Sequence, residues 1–295
     1  MKGMGTHRCY AGQNLCGMSS EKMNGVNCLK YKMIAVDLDD TLLSGDLNIS
    51  PINRQAISRA VAMGVKVTIS TGRMFRSTLP YVEQLMLDVP IITYQGALIK
   101  NAISKEVVLS RSLPLDISIE IIEESRKHGV HIQAYIGDDY FFDKHNGYSQ
   151  LYYDLSGIEG KAVKRLEDFL VEEPLKILIM DSPETISYLT GHYVDMFKDK
   201  AEITTSKSNY LEFTNIQASK GSALEYLAQS LGIKREEVIA IGDGYNDISM
   251  IKYAGLGVAM SNAPLDVKRY ADFVTCSNED DGVAYVIEKF VLKEE

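Results

Sequence analysis

Met33-Ile34-Ala35-Val36-Asp37-Leu38-Asp39-Asp40-Thr41 is the stretch from which the fold is read. A short apolar run leads straight into an acidic turn, the pattern of a buried strand that ends on polar side chains. Alone, such a turn is as readily a solvated loop as an active site. A calcium loop fails on spacing: the sixth position from Asp37 is Leu42 where glycine is needed, and the twelfth is Asn48 instead of glutamate. The buried lead-in gives the acidic cluster its weight. Carboxylates crowded at the end of a buried strand repel one another and lose solvation, so such a cluster usually holds a cation.

Working outward, Ser50-Pro51 marks a helix start with Ser50 as N-cap, and Gly64 ends that helix. Val65–Ser70 predicts a second strand, a helix follows to about Met86, and Ile91–Thr93 predicts a third strand. Strand–helix–strand repetition points to a doubly wound α/β fold with a parallel sheet. The rhythm changes after Gly96. Hairpins are predicted over Ala97–Leu109 and Val130–Phe142, with Asp116 capping a helix that ends near Gly129. Strands at Leu175–Met180, Ile203–Thr205 and Leu211–Phe213 surround a helix at Pro183–Phe197. Residues 113–212 therefore read as an inserted α+β domain. The doubly wound rhythm resumes at Lys220 and passes through a strand, Val238–Ile241, into Gly242-Asp243-Gly244-Tyr245-Asn246-Asp247. The main domain is then 31–112 plus 213–295.

In open parallel sheets, ligands collect at the carboxyl ends of the strands. Three polar clusters fall at such ends: Asp37–Thr41, Ser70–Arg73 and Gly242–Asp247. Asp243 is a hard oxygen donor of the kind magnesium takes. Ser70-Thr71-Gly72-Arg73 presents a hydroxyl and free backbone N–H groups at a strand-to-helix junction, where anions bind.

The formal net charge is −9, with no run of five like charges, which leaves no electrostatic footprint for nucleic acid or an anionic membrane. No eighteen-residue apolar stretch predicts a spanning helix. Cys9, Cys16 and Cys28 lie in the first thirty residues, which show no hydrophobic periodicity and read as a disordered extension, with Met23 and Met33 as alternative starts. Cys276 is the single cysteine beyond them, which suits a reducing cytoplasm.

In order and spacing, the motifs resemble those of haloacid dehalogenase superfamily phosphohydrolases, within the Cof-type branch that has a large type-two cap. The resemblance rests on Asp37, Asp39 and Thr41, then Thr71-Gly72-Arg73, then Lys220-Gly221, then Gly242–Asp247. It spans about 32–292, and the insertion falls where that branch places its cap. It implies Asp37 as nucleophile and Asp39 as acid/base with a raised pKa. It also implies Mg²⁺ on Asp37, the Asp39 carbonyl and Asp243. Leu38, Thr71, Gly72, Lys220 and Asn246 would hold phosphate, with Asp247 orienting Lys220 or a metal-bound water. The implied partner is a small phosphorylated metabolite, a sugar phosphate before others, acted on by a monomer or small homo-oligomer. A phosphomutase and a non-catalytic metabolite-binding regulator are the competing readings. One departure stands out: Gln95-Gly96-Ala97 occupies a place where the family often has Asn-Gly-Ala. His128, His131, His145, His192, Tyr135, Tyr140, Tyr152 and Tyr153 of the insertion read as packing or surface residues.

Overall fold

The computed structural model describes residues 29–292, so the reading of residues 1–28, with Cys9, Cys16 and Cys28, lies outside the described residues. Five strands form the central sheet, all parallel, in the spatial order Phe273–Val274, Leu256–Ala259, Val238–Gly242, Met33–Val36, Lys66–Ile69. Met33–Val36 and Val238–Gly242 are buried at every position, because helices cover both faces. The chain leaves Met33–Val36 toward Lys66–Ile69 on one side, and returns much later to add Val238–Gly242 on the other. That reversal puts a crevice at the carboxyl ends of these two strands, where Asp37 and Asp243 emerge.

Local chemistry sets the flanking helices. Ser50 accepts from the Asn53 backbone N–H at 3.0 Å and caps Pro51–Ala62. Gly64, at φ +92°, turns the chain out of it. Ser219 and Ser222 cap each other's backbone and start Lys220–Ser230, which places Lys220 in the first turn facing the crevice.

The inserted domain is a six-stranded sheet in the order Ala201–Thr204, Tyr210–Asn215, Lys176–Met180, His131–Ile136, Asp139–Phe142, Lys161–Ala162. Alternation divides its faces. Ile177 and Ile179 pack with Ile121, Ile122, Leu189 and Tyr193 from the helices Leu115–His128 and Pro183–Phe197. Leu178 and Met180 join Tyr135, Tyr152 and Tyr210 in a cluster shared with the main domain. Lys176 and Glu212 fall on that same inner face.

Three expectations change. Tyr210–Asn215 pairs as one continuous strand, so the cap sheet runs past residue 212. Pro114, not Asp116, stands at the N-cap of Leu115–His128. Its ring fixes the turn into the helix, and Asp116 lies in the first turn where its charge favours the dipole. Gly147–Ser156 is a helix that periodicity did not signal. Its apolar positions are mostly tyrosines, and its start is set by Asn146, whose side chain accepts from the N–H groups of Tyr148 and Ser149.

Candidate active site

Asp37 sits at the exit of its strand, its own N–H bonded to the Ile241 carbonyl at 3.0 Å. The next residues wind tightly, with Asp40 at φ +56°, a region aspartate tolerates better than most residues. The winding buries the Leu38 side chain in the core and brings Thr41 Oγ1 within 2.8 Å of Asp243 Oδ1, to which it donates. The first and fourth motifs are thereby locked together across 202 residues of chain.

Lys220 is the electrostatic centre. Its ammonium, 1% exposed, donates to Asp37 Oδ1 and to Asp247 Oδ1, each at 2.6 Å. Burial opposes its charge, but Asp247 and Asp37 outweigh that and raise its pKa above the usual lysine range. Asp247 is fully committed: its Oδ2 accepts from the N–H groups of Asp243 and Gly244 at 2.9 and 2.8 Å. Gly242 is required there, since a Cβ would lie 2.5 Å from Asp247 Cγ. One ammonium therefore serves two buried carboxylates. Burial pushes the Asp37 carboxyl well up; Lys220 opposes this, while Asp247, Asp243 and Asp39 add to it. Burial and then Asp247 push Asp243 up to about 7.

Carboxylate oxygens of Asp37, Asp243 and Asp247 lie within 4.8 Å of one another. This all-oxygen set, with more negative charge than Lys220 offsets, fits a hard divalent cation. The two oxygens of Asp247 are already used by Lys220 and backbone, which leaves Asp37 and Asp243 as the available carboxylates.

Asp39 departs from expectation. Arg73 grips it with two bonds, Nε to Oδ2 at 2.8 Å and Nη2 to Oδ1 at 2.6 Å. Burial alone would raise its pKa, but the Arg73 bonds and charge bring it below the usual carboxylate value. The raised pKa that the sequence suggested is absent, because a bidentate guanidinium stabilises the ionised form. Arg73 is thus a site residue that motif reading quoted without a role.

The cap supplies the other unforeseen residues. Lys176, 2% exposed, donates to the Gly72 carbonyl at 2.9 Å and lies 3.4 Å from Glu212 Oε2. Burial lowers its pKa against the pull of Glu212. Gln95 resolves the departure noted above. At φ +58° it occupies a left-handed conformation that asparagine favours, yet its longer side chain spans two partners. Gln95 Nε2 donates to Glu212 Oε2, and its Oε1 accepts from Asn246 Nδ2, both at 2.9 Å. Gly72 lies directly beneath it: a Cβ there would come within 2.2 Å of Gln95 Nε2 and push the amide from its two partners. The amide therefore links the fourth motif to the cap.

Most of these groups line one cavity between core and cap. Asp37, Asp39, Thr71, Gly72, Asp243 and Asn246 form its floor, while Tyr152, Lys176, Ser206, Lys207, Tyr210 and Glu212 form its roof. Lys220 and Asp247 lie beneath the floor, and Leu38, buried in the core, is not among the lining residues. Of Tyr135, Tyr140, Tyr152 and Tyr153, Tyr152 alone reaches the cavity. Tyr135 and Tyr140 are buried in packing and Tyr153 is exposed. His131 bonds Gln133 and Asn146, and His145 packs on Phe142. His128 and His192 meet on the far side of the cap sheet.

The family profile described as haloacid dehalogenase-like hydrolase matches residues 34–287. The 5-amino-6-(5-phospho-D-ribitylamino)uracil phosphatase YitU of Bacillus subtilis is 32% identical, with 88% of this chain and 98% of that protein aligned. A haloacid dehalogenase-like hydrolase of Bacteroides thetaiotaomicron superposes with a TM-score of 0.80 at 32% identity, covering 88% of this chain and 99% of the other. The HAD subclass IIB sugar phosphatase BT4131 superposes at 0.77 with 25% identity, covering 88% and 98%.

Proposed function

From the premise that the chain belongs to the haloacid dehalogenase-like hydrolases and is a phosphatase of that superfamily, we propose that it hydrolyses a small phosphorylated metabolite with Mg²⁺, through an aspartyl-phosphate on Asp37. The observation that carries this reading is the Lys220 bridge: a buried carboxylate at a strand end, held by an ammonium at 2.6 Å, beside a second acidic strand end.

Asp37 attacks phosphorus, so one hard displacement becomes two easier ones. Lys220 fixes the carboxylate and adds positive charge. Thr71, Gly72, the Leu38 N–H and the second amide hydrogen of Asn246 hold the phosphoryl oxygens. Asp39 exchanges protons with the leaving oxygen and then with water. Held by Arg73 it is ionised, the form that accepts a proton from water. To donate one, it must first trade Arg73 for a proton, and an incoming phosphate dianion competes for the same guanidinium. Asp37, the Asp39 carbonyl and Asp243 would hold the Mg²⁺, with Asp247 positioning Lys220. Bound there, the ion would offset the repulsion between Asp37 and the phosphate.

A sugar or sugar-alcohol leaving group suits the roof. Glu212, Ser206, Lys207 and the two tyrosine faces offer hydrogen bonds and flat apolar surface to a hydroxyl-rich chain. Relatives described as phosphatases of a phosphoribityl compound and of sugars support the same class. The free Cys276 accords with work in a reducing cytoplasm.

The test is phosphate release across sugar phosphates, nucleotides, phosphoglycolate, flavin mononucleotide and pyridoxal phosphate, with and without Mg²⁺. Mg²⁺-dependent release strongest on sugar phosphates is expected, and Asp37→Asn should abolish it. Turnover that survives in Asp37→Asn, or isomerised product without free phosphate, contradicts the proposal.

A further inference from the structure

The outer face of the cap holds a second cluster of ligand-type side chains, none of which lines the cavity. Glu124 and His128 stand one turn apart on Leu115–His128, and His192 faces them from Pro183–Phe197. Glu124 divides its carboxylate. Oε2 accepts from Lys127 Nζ at 2.5 Å. Oε1 lies 3.1 Å from His192 Nε2 and 3.6 Å from His128 Nε2. Two imidazole nitrogens from different helices thus converge on one carboxylate oxygen.

Packing alone accounts poorly for this arrangement. His192 has its hydrogen bond to Glu124, but His128 Nε2 is buried with no hydrogen-bond partner. A buried polar atom without a partner carries a desolvation cost. The two rings meet edge to face, with centroids 5.2 Å apart and planes at 72°, a favourable contact that still leaves His128 Nε2 without a hydrogen bond. All three donor atoms fall within 4.8 Å of one another. A tetrahedral zinc ion with bonds of about 2.0–2.1 Å sets its ligands roughly 3.3–3.5 Å apart. The separations of 3.1 and 3.6 Å bracket that edge length.

We propose that Glu124, His128 and His192 bind one zinc-class transition-metal ion, which joins the two outer helices of the cap. Two imidazoles and a carboxylate select zinc, nickel or copper over magnesium, which prefers oxygen donors alone. The side chains are 13%, 25% and 33% exposed, so water completes the coordination. Lys127 opposes the ion's charge but occupies only Oε2. The ion replaces the Glu124–His192 hydrogen bond and gives His128 Nε2 a partner. The core site and the cap site would then sort two metals by donor chemistry within one chain.

The test uses the full chain, stripped with chelator and titrated with Zn²⁺ in excess Mg²⁺, followed by calorimetry and thermal unfolding. One Zn²⁺ per chain and a raised Tm are expected, with tetrahedral ligand-field bands when Co²⁺ is used instead. His192→Ala and, separately, His128→Ala should each weaken binding at least about 100-fold, above the usual cost of losing an outer-shell partner. Asp243→Asn should leave it unchanged, as should serine at Cys9, Cys16 and Cys28 together. Either histidine variant suffices if the other fails to fold in chelator. The proposal is overturned if wild type takes up no Zn²⁺ at ~100 µM. It is equally overturned if both histidine variants bind as wild type does, or if the cysteine substitutions abolish binding.

Discussion

The floor and the roof of the cavity are built by different means. On the floor, chemistry is delivered by backbone: a strand ends, the chain turns, and neighbouring residues such as Asp37, Asp39 and Thr41 enter the site together. On the roof, chemistry is delivered by alternation across a sheet. Lys176 and Glu212 come from separate strands, with Ile177 after the one and Leu211 and Phe213 about the other facing the opposite way. On the proposed mechanism the floor would carry the phosphoryl transfer and the roof would meet the leaving group. A phosphatase divided in this way should respond to substitution very differently on its two sides.

Asp37→Asn should break the floor most severely. Loss of the nucleophile is expected to lower kcat by at least about 10⁴-fold while circular dichroism and Tm stay close to wild type. Lys220→Met comes next. It leaves Asp37 and Asp247 buried without their shared cation, for which roughly 3–5 kcal/mol of lost stability is expected by denaturant unfolding. Activity should fall with it. A variant as stable as wild type would show that the bridge is not the electrostatic centre of the floor.

Arg73→Ala sharpens the comparison, because Arg73 sets the protonation of Asp39. Arg73 holds the Asp39 pKa down, so its removal should raise that pKa. The limb of kcat/KM that falls as Asp39 loses its proton should then move to higher pH. An unmoved limb would exclude Asp39 as the leaving-group acid. On the roof, Lys176→Met and Glu212→Gln should change kcat/KM by about 10–100-fold, unequally across substrates, with Mg²⁺ dependence unchanged. Equal losses on every substrate would place these residues with the floor instead.

The smallest effect concerns Mg²⁺ affinity. Asp243 titrates at about 7, above the 3.8 expected in an unfolded chain. In the metal-free protein its proton favours the folded state, so its contribution fades as pH rises toward and through 7. Mg²⁺ needs the ionised form. Apparent Mg²⁺ affinity should therefore increase severalfold from about pH 6 to pH 8 and level off above. The Tm gained on adding Mg²⁺ should grow over the same interval.

The same contrast explains what the sequence disclosed. Asp37–Thr41, Lys220 and Gly242–Asp247 were legible because strand end, turn and helix start are encoded within a few consecutive residues. Order along the chain then placed them together. Arg73 was visible as a residue but not as a partner, since the pairing with Asp39 depends on where two turns meet in space. Lys176 left one usable signal: a lysine in an otherwise apolar strand, in alternation with Leu178 and Met180, must be buried and so must have partners. Glu212 in Tyr-Leu-Glu-Phe carried the same mark. Gln95 looked like a weakened asparagine until its reach to both Glu212 and Asn246 gave the extra methylene a use. Asp116 misled because a capping preference was read without the proline two residues earlier, and residue 212 misled because a strand crosses it.

The central claim is that phosphate passes through Asp37, and trapping the acyl phosphate addresses it most directly. The enzyme would be mixed with a turned-over sugar phosphate and Mg²⁺, quenched in acid during the first turnover, reduced with borohydride and mapped by peptide mass spectrometry. The account predicts homoserine at position 37 in wild type, and none in Asp37→Asn. Full turnover with an unmodified Asp37, or the adduct on another carboxylate, would contradict it.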